Sequence, residues 1–150
     1  MSPALKISLL LVLLLAGCDQ RPPEIHYGQD GCAFCRMTIV DNMYATALVT
    51  DKGKQYKYDS IECLAASYFV NSKGASASSQ LWVTDFENAG TLIPMDSVVL
   101  VRALRLPSPM GLSLSAHSDP AVATDVAKLY YGEAVTWAEV VLLVQNEWQL

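Results

Sequence analysis

Apolar and polar positions alternate along the chain in three distinct regimes. The first is an apolar run, Ile7–Ala16, behind a single charge at Lys6. It falls short of the roughly 20 residues a membrane helix needs, and its order (basic start, apolar middle, small residues at the end) is that of a secretory signal. Residues 19–30 are polar and contain Pro22-Pro23, and they read as a tether. From residue 31 the pattern is that of a folded domain. Tyr44–Thr50 and Gln55–Tyr58 read as two strands around a turn at Asp51–Lys54. The period then changes. Ile61, Leu64, Ala65 and Tyr68 recur at helical spacing, and Asp59 with Glu62 three places on resembles a capping box, so a helix is expected over residues 60–70. Lys73–Ser79 is a small-residue connector, and Leu81–Phe86 is a strand. The order is β-β-α-β.

The second half begins again in the same order. Asp96–Ala103 and Gly111–Ala116 read as strands, the latter entered through a bend at Pro109-Met110-Gly111. A helix is expected from Pro120, a proline at or near its first position, to Tyr131, with Gly132 as its stop. Thr136 and Glu139 form a capping box that opens a last helix over residues 137–145. Met37 and Met95 lie 58 residues apart, and Tyr68 and Tyr130 lie 62 apart, as an internal duplication with a slightly longer second loop would give. The expected fold class is α+β: two similar small ββαβ-type units packed as one compact protein, plus a C-terminal helix. The expected divisions are a signal peptide over 1–17, an anchor and tether over 18–30, a first unit over 31–86 and a second over 87–150.

Leu15-Ala16-Gly17-Cys18 resembles the lipobox of bacterial lipoproteins, in which the cysteine is lipidated and becomes the first mature residue. The expected location is therefore the periplasmic side of a bacterial membrane, with the chain anchored at Cys18. Asp19 resembles an inner-membrane retention signal. Loss of residues 1–17 removes one lysine and takes the formal charge from −5 to −6 over 133 residues. Such a chain has no basic patch for nucleic acid, and its length suits one compact domain or two small halves.

Lipidation leaves Cys32, Cys35 and Cys63. An odd number outside the cytoplasm means that one sulfur stays unpaired or binds something. Four readings of this set stand. Cys32 and Cys35 form a disulfide while Cys63 packs in the core. The Cys-x-x-Cys works as a thiol–disulfide pair, although such pairs sit at strand-to-helix turns and this one precedes a β-rich stretch. The cysteines hold zinc, for which four ligands in two pairs are needed and only one pair is visible. Or they hold copper, since thiolates and thioethers select Cu(I) and Cys32-x-x-Cys35-x-Met37 places three soft atoms in one short segment. Met37 is equally readable as the first core residue of a strand with Ile39. Two of the other methionines follow prolines, in Ile93-Pro94-Met95-Asp96 and Ser108-Pro109-Met110-Gly111, where packing alone seldom places one. Cys63 falls in the first turn of a helix, which favours a thiolate. His26 and His117 are each readable as an imidazole ligand or as a hydrogen-bonded residue.

The lipobox, Tyr27-Gly-x-Asp-x-Cys-x-x-Cys-x-Met37, Tyr58-Asp-Ser-Ile-Glu-Cys63, Ile93-Pro-Met-Asp-Ser97 and Ser108-Pro-Met-Gly111, in this order, resemble the NosL family of copper-binding lipoproteins associated with maturation of nitrous oxide reductase. The resemblance covers essentially the whole mature chain. It implies paired ββαβ units and a Cu(I) carrier that is not an enzyme. It implies metal ligands at Cys32, Cys35 and Met37, with Met95, Met110, Cys63 and His117 as candidates to complete the set. The implied partners are a copper-acceptor enzyme, nitrous oxide reductase, or its assembly machinery. A site shared between two chains as a homodimer stays open. Arg36 departs from the family pattern, where glycine is expected, and His117 stands where an aromatic is expected. The alternatives are a membrane-tethered Cys-x-x-Cys oxidoreductase and a structural or interaction lipoprotein.

Overall fold

The structure is a computed structural model and describes residues 21–71 and 79–150. The signal segment, Cys18 and most of the 73–79 connector lie outside the described residues. In chain order the elements are β1 (Thr46–Val49), β2 (Gln55–Tyr58), α1 (Ile61–Val70), β3 (Gln80–Thr84), β4 (Leu92–Pro94), a 3-10 turn (Met95–Ser97), β5 (Val99–Ala103), β6 (Leu114–His117), α2 (Pro120–Leu129), β7 (Gly132–Val135) and α3 (Trp137–Trp148). They make two antiparallel sheets, ordered β2-β1-β3-β4 and β6-β5-β7. Each contains the same ββαβ path. A hairpin (β1–β2, β5–β6) is followed by a helix, and the next strand returns to the free side of the hairpin's first strand. The fold is the expected α+β arrangement of two such units with a C-terminal helix.

Period-two alternation sets the faces of the first sheet. Leu48 and Val83 point to the main core, while Ala47, Trp82 and Leu92 form a smaller cluster on the opposite face. The main core is shared between the units. Tyr58, Ile61, Leu64 and Val83 from the first meet Leu100, Leu114 and Ala116 from the second, with Val140 and Val144 from α3.

Helix α1 differs from its expected form. Its residues from Ile61 through Ser67 are all buried, so the helix has no solvent face over its first two turns. It packs on β1, β2, β6 and α3, and Ala65 and Ala66 keep it thin enough to fit. The expected capping box is absent: Ser60, in extended backbone, is the N-cap and accepts the Cys63 N–H at 3.3 Å. Glu62 is thereby freed from the cap and turned inward, fully buried. Its carboxylate accepts hydrogen bonds from Ser108 Oγ and, at 3.2 Å, from the Leu112 N–H. Ser108 Oγ in turn accepts the Ser113 N–H at 2.9 Å. One buried carboxyl thus ties the Pro109-Met110-Gly111 bend of the second unit to the helix of the first. Burial pushes the Glu62 pKa up, against the hydrogen bonds it accepts.

Other boundaries moved for local reasons. The segment 95–97, expected to open a strand, is a 3-10 turn, and β5 begins at Val99. Gly111 and Ser113 take left-handed backbone, with φ 85° and 63°, so β6 starts only at Leu114. Helix α2 has Asp119 as N-cap, accepting the Ala121 N–H at 2.8 Å. It ends at Leu129, and Tyr131, not Gly132, takes the left-handed turn at φ 55°. Gly132 instead begins β7. It is kept small by close approach of the neighbouring strand, since a Cβ there would lie 2.3 Å from the Arg102 carbonyl oxygen. The Thr136/Glu139 capping box forms as expected. The helix it opens runs on to Trp148, whose indole stacks on Phe34 at 5.9 Å between ring centroids.

Two outcomes are expected. Gly132→Ala destabilises the protein by about 2 kcal/mol, because backbone must shift to admit the methyl group, and denaturant unfolding would measure this. Glu62→Gln keeps the acceptor oxygen for Ser108 and Leu112 and removes the ionisable group. A carboxyl whose pKa is raised by folding loses its stabilising contribution as pH rises through the folded pKa. The variant should therefore have a higher Tm than the wild type at pH 8, with the difference closing toward pH 5.

Candidate metal centre

The segment 27–39 is a closed loop, not the strand entry its β-branched residues suggested. The Gly28 N–H donates to the Ile39 carbonyl at 2.8 Å and the Ile39 N–H to Asp30 at 2.9 Å. The Cys32 N–H donates to the Met37 carbonyl at 2.8 Å, and the Arg36 N–H closes back on the Cys32 carbonyl at 3.1 Å. The loop is fixed to β2 by the Ala33 N–H on the Lys57 carbonyl, 2.8 Å, and by the Lys57–Asp30 ion pair, 2.6 Å. Arg36 has φ 69°, a left-handed backbone that glycine adopts without cost. That accounts physically for glycine as the residue expected there.

This loop lays Cys32 and Cys35 beside the start of α1. One sulfur or carboxylate oxygen from each of Cys32, Cys35, Asp59 and Cys63 lies within 4.8 Å of all the others. Cys32, Asp59 and Cys63 are buried, and Cys35 is part-exposed at the mouth. The Cys35 thiol donates to Asp59 Oδ2 at 3.6 Å. Asp59 Oδ1 is buried with no hydrogen-bond partner among the described residues.

The three thiols are not equivalent. The Cys63 S–H donated to Cys32 pulls the Cys32 pKa down to about 6, helped by the N–H groups of Asp59, Cys35 and Phe34 and opposed by burial. Cys63 is driven strongly upward for the same reason seen from the other side: its proton is held by Cys32, it is buried, and the Asp59 carboxylate is close. This corrects the expectation that its place in the first turn would make Cys63 a thiolate. Ser60 Oγ already occupies its backbone N–H. Burial raises Cys35, and a charged Cys32 adds to that. Arg36 is exposed and takes no part in lowering Cys32.

Of the residues singled out from the sequence, the fold brings together Cys32, Cys35 and Cys63. Met37 lies on the same loop and is 52% exposed. Met110 is half-buried against the main core, on the bend held by Glu62. Met95 lines a separate groove with Trp82 and Trp137. His117 is fully buried on β6 with both ring nitrogens occupied, Nδ1 by Glu87 and Nε2 by Ser115, each at 2.8 Å. It is outside the cluster and has no free nitrogen for a metal. The Ser115–His117–Glu87 chain has the connectivity of a hydrolase triad, but Ser115 is 2% exposed and unreachable by a substrate. His26 is at the surface, between Glu24 and Asp30. Asp59 is the member that sequence reading missed. Its spacing to Glu62 resembled a cap, and because it precedes the Ser60 N-cap no helical spacing marked it as a companion of Cys63.

No curated protein sequence matches the chain. A fold match is found in the crystal structure of the copper chaperone NosL from Shewanella denitrificans, with a TM-score of 0.61 at 18% identity, covering 79% of this chain and 96% of that one. The sequence model of the NosL family matches residues 24–142. That match takes in the cysteine loop, the buried helix and both proline-methionine bends, and by it the chain belongs to the NosL family.

Proposed function

We propose that this protein is an extracytoplasmic Cu(I) chaperone, anchored to the membrane through Cys18, that delivers copper for assembly of a copper enzyme, nitrous oxide reductase. The observation that carries the reading is the convergence of Cys32, Cys35 and Cys63 within one 4.8 Å cluster, with Cys35 part-exposed and Met37 exposed on the same loop. Soft sulfur donors select Cu(I). Family membership and the fold shared with a copper chaperone support it. The recipient enzyme and the anchor rest on the sequence resemblance.

The cluster suits a carrier. Its inner sulfurs are dry, so bound Cu(I) is shielded. Cys35 is part-exposed, so an incoming ligand can add to the metal there before an inner one leaves. Cys32, the most acidic of the three, is ready as a thiolate near neutral pH. A thiol–disulfide oxidoreductase would place its acidic thiol at the surface, at a helix N-terminus. Here the acidic thiol is the buried one, at 1% exposure.

Anaerobic titration of the reduced protein with Cu(I) against a competing chelator, with metal content read by mass spectrometry, tests the reading. One Cu(I) per chain is expected. Cys35→Ser should abolish stoichiometric binding; tight binding retained by that variant would sink the assignment. Met37→Leu should weaken binding without lowering Tm. The raised thiols Cys35 and Cys63 must shed protons on binding, so apparent affinity should rise with pH, by about tenfold per unit for each proton displaced. A flat profile between pH 6 and 8 would mean that neither binds as a thiolate.

A further inference from the structure

We propose that the surface around Arg36 is a docking site for an acidic face of the protein that receives the copper, with a partner carboxylate held by the Arg36 guanidinium beside Lys54. The identity of the partner rests on the carrier reading. The surface itself is argued from Arg36 and its surroundings, not from the metal ligands.

Arg36 is held at φ 69°, in left-handed backbone that is unfavourable for a long side chain and easy for glycine. Strain of this kind gathers at binding and active sites. Within the chain the Arg36 side chain has no visible employment. It is exposed, it makes no ion pair among the described residues, and it does not help to lower Cys32. Its guanidinium is free for a group outside the chain.

The surroundings say which group. Two hollows, of about 390 and 340 Å³, share Ala33, Arg36 and Tyr56. One extends to Thr50 and the other to Cys32. The Lys54 ammonium lies 4.7 Å from the centroid of the Tyr56 ring, so two cations flank one tyrosine. The whole chain has ten lysines and arginines against fifteen acids. Here the balance is reversed. The loop 27–39 and the stretch 50–57 together carry four cations, Arg36, Lys52, Lys54 and Lys57, and two acids, Asp30 and Asp51. Asp30 is already bound to Lys57 at 2.6 Å. A cationic region on an otherwise acidic protein draws acidic surfaces to one place and repels them elsewhere. Arginine adds a planar fork that matches a carboxylate with two parallel hydrogen bonds. Because Cys32 lines one of the hollows, a partner seated on Arg36 is brought beside the cluster, as transfer by ligand exchange requires.

The test follows backbone amide NMR shifts of the reduced protein, with and without Cu(I), during titration with hexaglutamate at low ionic strength, with hexaglutamine as the neutral control. Saturable shifts are expected at Ala33–Arg36 and Thr50–Lys57, with none from hexaglutamine and none at about 0.5 M salt, where exposed charges are screened. Arg36→Gly should weaken hexaglutamate by about tenfold, and Arg36→Lys should restore only part of that loss. The glycine variant should unfold at the same or a higher temperature than the wild type, because the backbone strain is gone, and should keep its Cu(I) affinity within about threefold. Shifts centred on Arg105 or Lys128, unchanged binding in Arg36→Gly, or a loss of Cu(I) affinity in that variant would overturn the proposal. Hexaglutamate binding at Arg36 by a wild type that fails to take up Cu(I) would sink the carrier reading and leave an acidic-partner surface standing.

Discussion

The arrangement depends on burying the first two turns of α1. A ten-residue helix with Glu62, Cys63 and Ser67 among its residues does not sink into a core by hydrophobicity alone. It is held there because both sheets and α3 close around it, each contributing an apolar face that would otherwise be wet. Once α1 is inside, every polar group it carries needs a partner. Ser67 finds Tyr58 and Glu62 finds Ser108. Cys63 and Asp59 find the cysteine loop. The candidate metal centre is thus part of how the helix start resolves its own burial.

The two units share a topology but not a task. The first contributes three thiols and a carboxylate, and at the corresponding place in the second there is a helix whose one buried residue is Ala123. The second unit serves instead as a wall. It packs β6 on α1 and presents the Ser108–Ser113 bend to Glu62. The C-terminal helix closes the remaining side, with Trp137 edge-on to Tyr68 and Trp148 stacked on Phe34 between the two cysteines of the loop. The loop that carries Cys32 and Cys35 is therefore braced from β2 by backbone hydrogen bonds and from α3 by an aromatic stack.

Local patterns were legible where local forces decide the outcome. The β1–β2 hairpin, the β3 and β5 runs, the Thr136 cap and the doubled ββαβ order all follow from alternation, turn residues and caps, interactions of short range in sequence. Reading failed where a distant partner overrode the local preference. Asp59 and Glu62 have the spacing of a capping box, yet Ser60 takes the cap, because the two acids have buried partners in other segments. Gly132 looks like a helix stop but answers to the backbone of Arg102 across a strand pair. Residues 37–40 have strand-forming side chains, but hydrogen bonds to Gly28 and Cys32 hold them in a loop.

The sequence alone determined the fold class, the family resemblance and the presence of a sulfur-rich loop, because each is written in residue types at fixed spacing. Tertiary structure decided which of those residues meet. It joined Cys63 to the Cys-x-x-Cys and removed His117 by engaging both its ring nitrogens elsewhere. It left Met95 in a groove with two tryptophans, and it added Asp59, whose role no spacing rule could isolate. The physical reason is that ligand geometry depends on where a buried helix start meets a loop some thirty residues away. Only the packing of the two sheets around α1 sets that meeting.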